Sequence, residues 1–110
     1  MKLSRGDISG KVVKNNDTYV VIDNTELKNL VVSKTVLHPG KATSGHAHAG
    51  QEEVYHFVHG HGRMKLDNST FSVNAGDIVL VHDGQFHKVW NDSQVEDFVF
   101  VCVFDGRRSH

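Results

Sequence analysis

His46, His48 and Glu53 are the residues of this chain whose types and spacing point most directly to chemistry. Two imidazoles stand two residues apart, and a carboxylate follows five residues after the second. In a β-strand, residues i and i+2 point to the same face, so the spacing predicts that His46 and His48 aim at one point. A short turn through Ala49, Gly50 and Gln51 can return the chain so that Glu53 reaches that point too. Two histidines and one carboxylate with open positions form an arrangement that holds a divalent transition metal. The need is for neutral imidazole nitrogens and a carboxylate converging at about 2.0–2.2 Å from the ion. His87 offers a fourth ligand downstream. Taken as a bare pair, His46 and His48 could equally be loop histidines in solvent.

The wider spacing removes much of that ambiguity. Gly40 is followed after five intervening residues by His46, then by His48, Glu53 and, after six intervening residues, Gly60. This resembles the first motif of the cupin superfamily. Further along come Gly76, His82, Gly84, His87 and Asn91, which resemble the second cupin motif, with His82 where proline is usual. Together the motifs span Gly40 to Asn91, about half the chain. The resemblance implies a small β-barrel with a metal held by His46, His48, Glu53 and His87. It names no reaction, because cupins include dioxygenases, isomerases, epimerases, decarboxylases, lyases and binding proteins.

Two carboxylates compete for one role. Glu53 fits the spacing to Gly60 and shares strand parity with Tyr55 and Phe57, which suit a barrel interior. Glu52 then faces outward, and so does His56. His59 and His61 flank Gly60 and read as solvated turn residues; His38 reads as a loop residue, and His110 is terminal. His82 sits just before His87, either as an exposed turn histidine or as a proton carrier at the barrel mouth. Tyr55, Phe57, Met64 and Trp90 are expected in the core or cavity wall. Ser33 and Thr35 alternate with Val31 and Leu37, and supply two hydroxyls if that face lines the cavity.

The chain has 110 residues, enough for one domain with one core, so residues 1–110 are read as a single cupin domain. Hydrophobic content is 38% and charged content 23%, which fits neither a disordered nor a membrane-spanning sequence. No apolar run approaches the length of a membrane helix. The first ten residues lack the apolar core of a secretion signal, so a cytoplasmic location is expected. A net charge of −1 gives no basic field for phosphate backbones, which argues against nucleic-acid binding. Cys102 is the only cysteine, so no intrachain disulfide can form. Five of the nine histidines fall between His46 and His61.

Gly and Asn/Asp punctuation separates runs of Val, Ile, Phe and Tyr, the pattern of many short strands. Strands are expected at 11–14, 18–23, 29–37, 45–48, 53–59, 62–66, 69–73, 78–82, 86–91 and 96–104. No segment keeps a 3.6-residue apolar period over three turns. The fold class is therefore all-β, and the cupin resemblance implies that the strands close as a double-stranded β-helix or jelly-roll barrel, in which closure removes exposed strand edges. The last strand is apolar on both faces: Phe98, Phe100, Cys102 and Phe104 on one, Val99, Val101 and Val103 on the other. One face can line the core; the other needs a second sheet or a second subunit, and a homodimer is expected.

The functional expectation is one divalent transition metal ion (Fe, Mn, Ni, Co, Cu or Zn) serving an enzyme that acts on a small polar molecule. A sugar derivative or an oxo- or hydroxy-acid would suit it. Four protein ligands leave two open positions in an octahedron, which favours non-redox isomerase, epimerase or lyase chemistry over an Fe-dependent dioxygenase. A non-catalytic binding or sensor module is the rival reading.

Overall fold

A computed structural model of the protein describes residues 1–106. Nine strands form: β1 (Lys11–Asn15), β2 (Tyr19–Asn24), β3 (Leu30–Leu37), β4 (Glu53–His59), β5 (His61–Leu66), β6 (Ser69–Asn74), β7 (Ile78–Val81), β8 (His87–Asn91) and β9 (Phe98–Asp105). The described residues contain no helix. His110 lies outside the described residues.

The strands make two antiparallel sheets. The larger has the order β1-β2-β3-β9-β4-β7, and the smaller β6-β5-β8. Chain neighbours β3 and β4 are separated by β9, which threads between them in full register from Leu30–Asp105 to Leu37–Phe98. This is the jelly-roll connectivity of a double-stranded β-helix. Strand alternation sets the core. In β9, Phe98, Phe100, Cys102 and Phe104 are buried while the intervening valines are half-buried. Phe98 stacks on Phe57 at 5.0 Å between ring centroids, and Phe100 stacks on Tyr55 at 5.5 Å. From the small sheet Met64, Val73 and Val89 pack inward to close the core. Each such buried side chain contributes about 1.5–3 kcal/mol.

The segment expected as a strand at 45–48 forms none. Two isolated antiparallel bridges tie this stretch to β8, Ala42 with Trp90 and His46 with His87. Three residues lie between the bridges on one side and two on the other, so the segment is bulged by one residue. Gly45 sits in the bulge with φ +78, and a Cβ there would lie 2.7 Å from the Phe86 ring. Only glycine meets both conditions. The stretch thus runs along β8 as an irregular edge, which breaks the simple strand parity of His46 and His48.

Trp90 departs from expectation as well. In β8 the residues His87, Val89 and Asn91 point inward, so Trp90 and Lys88 point outward. Trp90 is half-buried between the Arg63 guanidinium at 5.1 Å and the Lys88 ammonium at 5.3 Å. Arg63 also makes a two-pronged ion pair with Asp92.

The outer face of the large sheet is covered in part by the N-terminal segment. Lys34 on β3 donates to Arg5 O at 2.8 Å, and Arg5 donates to Val58 O on β4 at 3.0 Å. Since β9 lies between those strands, the segment crosses the outer valine face. Toward the β7 edge the same face stays open, with Ile78 and Leu80 about three-fifths exposed beside Val54.

Candidate metal centre

The site forms at one end of the barrel, where three separate pieces of chain meet. Glu53 is the first residue of β4 and stands opposite Phe104 on one side and Val81 on the other. His87 is the first residue of β8, in the other sheet. His46 is fixed to His87 by a reciprocal backbone pair, His46 N to His87 O at 3.1 Å and His87 N to His46 O at 3.0 Å. As a result one ligand atom from each of His46, Glu53 and His87 falls within 4.8 Å of the others. His48 lies outside that tight set, but its ring centroid is 4.5 Å from that of His46. It sits in the loop that precedes β4, where its carbonyl accepts from Gln51 N and Gly84 N, each at 3.2 Å.

The state of His87 is informative. Its side chain is 3% exposed, and Nδ1 lies 3.0 Å from the carbonyl oxygen of Gln85. A carbonyl only accepts, so Nδ1 carries a proton, and in the neutral ring Nε2 presents a lone pair. Nε2 is buried without a hydrogen-bond partner, and Glu53 Oε1 lies 3.6 Å from it. A buried acceptor facing a carboxylate is unfavourable by itself, since neither can donate. A cation between them resolves the conflict, and the Nδ1–carbonyl contact is the orienting bond that metal-binding histidines use. The donor set of imidazole nitrogen and carboxylate oxygen therefore fits a transition metal ion.

The cluster opens into a cavity of about 440 Å³. Its wall on the large sheet carries Ser33 and Thr35, both buried, so that face of β3 does line the cavity. Ser33 donates to Asp23 Oδ1 at 2.6 Å. Tyr55, Phe100 and Phe104 give the apolar part, and Lys14 and Tyr19 border it from β1 and β2. Tyr55 and Cys102 are cross-strand partners. Burial first, then the neighbouring Cys102 and Glu53, holds the Tyr55 phenol well above its ordinary range. Burial first, then the Glu53 carboxylate, pushes the Cys102 thiol up as well. Both groups stay neutral near pH 7.

Among the other expected positions, Glu52, His56, His59 and His61 are exposed. His82 is exposed and borders a separate groove with Glu52 and Asp83, not the cavity. His38 is partly exposed, 3.4 Å from Asp97. Met64 and Phe57 are fully buried core. Two residues stand out that the spacing argument passed over. Gln51, read as a turn residue, is buried and lines the cavity. Asn91, noted only as the end of the second motif, donates to three backbone carbonyls, those of Leu37, His38 and Glu96.

Comparison with known proteins bears on the family and the fold. The chain is 30% identical over 73 residues to the uncharacterized protein MJ1618 of Methanocaldococcus jannaschii, an alignment covering 66% of this chain and 58% of the relative. The chain thus spans under two thirds of that relative's length. A crystal structure of a conserved protein with a double-stranded β-helix domain from Klebsiella pneumoniae superposes with a TM-score of 0.75 at 26% identity, covering 86% of this chain and 82% of that one. A protein described as a predicted oxalate decarboxylase from Thermotoga maritima has a TM-score of 0.75 at 21% identity, over 96% of this chain and 98% of that one, a likeness of fold. The cupin domain family matches residues 33–104, and the chain belongs to that family.

Proposed function

We propose that this chain is a metal-dependent cupin enzyme acting on a small polar molecule, a sugar derivative or an oxo- or hydroxy-acid. His46, His48, Glu53 and His87 would hold one divalent transition metal ion, of the group Fe, Mn, Ni, Co, Cu and Zn. The observation that carries the reading is the buried, unpartnered Nε2 of His87 facing Glu53 beside a cavity. When bound, the ion supplies Lewis-acid polarisation of a carbonyl or hydroxyl. The chain supplies the rest. The hydroxyls of Ser33 and Thr35 orient polar groups of the substrate, and the Tyr55, Phe100 and Phe104 side chains exclude water from its other side. Lys14 at the cavity wall adds a positive charge suited to a carboxylate. Four protein ligands favour non-redox isomerase, epimerase or lyase chemistry.

Elemental analysis of protein purified without chelators tests the reading. About one transition-metal ion per chain is expected. Reconstitution that stays at a small fraction of an ion per chain refutes it. Substrate-dependent oxygen uptake would move the chemistry to a dioxygenase, and tight binding of small acids without turnover would make the chain a binding module.

The proposal includes a homodimer. The open apolar surface at Val54, Ile78 and Leu80 on the β7 side of the large sheet supports it. Adjoining β9 contributes Val103, the cross-strand partner of Val54. Exposed strand edges with such side chains favour a partner.

A further inference from the structure

We infer that Gln51 is the residue that reads a hydroxyl group on the molecule held in the cavity, through a hydrogen bond accepted by its side-chain carbonyl. The inference rests on the reading of this cavity as the substrate site beside the metal cluster. Gln51 is 5% exposed and lines the cavity together with His46, His48 and Glu53. Its Oε1 is buried and has no hydrogen-bond partner. Among the described residues only one other buried side-chain atom shares that condition, Nε2 of His87. The His87 atom is accounted for by the metal cluster. Nothing in the fold accounts for Gln51.

A buried acceptor without a donor costs stability, and an apolar residue of similar size would avoid that cost. The local backbone does not require glutamine. Gln51 N donates to His48 O at 3.2 Å, and the preceding Gly50 N donates to the Asp83 carboxylate. Both bonds involve backbone amides that any residue except proline would supply. These contacts pin the residue between His48 and Glu53, so its side chain is held at the cluster without adding to the fold. The chemistry of the unfilled position is that of an acceptor. A carboxylate or phosphate oxygen cannot satisfy it, whereas an O–H or N–H donor can, and in the sugar derivatives and hydroxy-acids proposed above that donor is a hydroxyl. The substrate class narrows accordingly to molecules with a hydroxyl near the group that meets the metal, such as 2-hydroxy acids.

The test compares glycolate with acetate, two acids that differ by one hydroxyl. Their dissociation constants are measured by calorimetry on Co²⁺-loaded wild type and on Co²⁺-loaded Gln51→Leu. Comparing the ratios removes the intrinsic preference of the ion for either acid. The wild type should prefer glycolate, and the preference should fall by about fivefold in the variant, the worth of one hydrogen bond. Acetate affinity should be unchanged. Metal-free Gln51→Leu should melt at or above the wild-type temperature, a result that a structural role would reverse. An equal glycolate preference in both proteins, as when only water fills the position, overturns the inference. So does a wild type that binds neither acid, or a metal-free variant that melts more than about 5 °C lower. If the wild type takes up no metal, the metal reading fails instead, and the same titrations on metal-free protein decide the Gln51 assignment alone.

Discussion

Replacing Asn91 by alanine should cost this protein a large part of its stability while leaving every proposed metal ligand in place. Asn91 is 4% exposed at the end of β8. Its Nδ2 donates to Leu37 O at 3.0 Å, to His38 O at 3.2 Å and to Glu96 O at 2.8 Å. Its Oδ1 accepts from Ser93 N at 2.9 Å. One amide therefore joins the small sheet to the end of β3 and to the loop that leads into β9. Truncation removes these bonds; His38 O keeps a donor in Lys41 N at 3.1 Å, while Leu37 O and Glu96 O lose the amide. At about 1 kcal/mol net for each of three or four bonds, the expected loss is about 3–4 kcal/mol. For a domain of this size that is a fall in Tm of about 12–16 °C. Urea unfolding followed by Trp90 fluorescence would measure it, with the m-value as a check that the transition stays two-state. Asn91→Asp should be worse at neutral pH, because it keeps the acceptor and points a second oxygen at three carbonyls. A loss below about 1 kcal/mol in Asn91→Ala, or an Asp variant as stable as wild type, would refute the argument that this amide staples the sheets.

Other outcomes are expected. His87→Ala and Glu53→Gln should lower metal content at least tenfold by elemental analysis, while His59→Ala and His61→Ala, both exposed, should leave it unchanged. Metal retention should also weaken below about pH 6, as protons compete for the imidazole nitrogens. Above pH 9 stability should decline. The unfolded thiol and phenol titrate from their ordinary values of 9.0 and 10.0, while the native Cys102 and Tyr55 keep their protons to higher pH. The native state then binds more protons, and each group removes up to about 1.4 kcal/mol per pH unit. Urea midpoints between pH 8 and 11 measure the decline, and a flat profile would contradict it. Light scattering at micromolar concentration should give twice the chain mass; a monomer mass would reject the β7-side interface.

How much of this was legible in the sequence depends on how local each cause is. Strand parity along β4 separated Glu53 from Glu52 and turned His56 outward, because a period of two is set by the backbone. The two-faced apolar run of β9 showed that both faces need cover, but not that the N-terminal segment crosses the outer one. The bulge at Gly45 was not legible. It depends on the register against β8, some forty residues away in the chain, and on the Phe86 ring that occupies the space of a Cβ. Trp90 was expected in the core or cavity wall, whereas its parity with His87 decided otherwise. Gln51 and Asn91 were passed over because nothing in an amide's neighbours along the chain tells whether its partners will be three carbonyls or none.

The irregular edge formed by residues 40–46 has a consequence for how the centre can be lost and regained. This stretch is held to β8 by single bridges and scattered bonds, Thr43 N to Val89 O and Asn91 N to Lys41 O among them, while β8 keeps its continuous ladder with β5. Peeling the edge away costs a few bonds and leaves the barrel intact, so opening of the site is a local event well below global unfolding in free energy. Amide hydrogens of His46 and Thr43 should then exchange far sooner than those of β9. The histidine carried on the edge would come and go as a hinged clasp, while Glu53 and His87 stay on strands held by longer ladders.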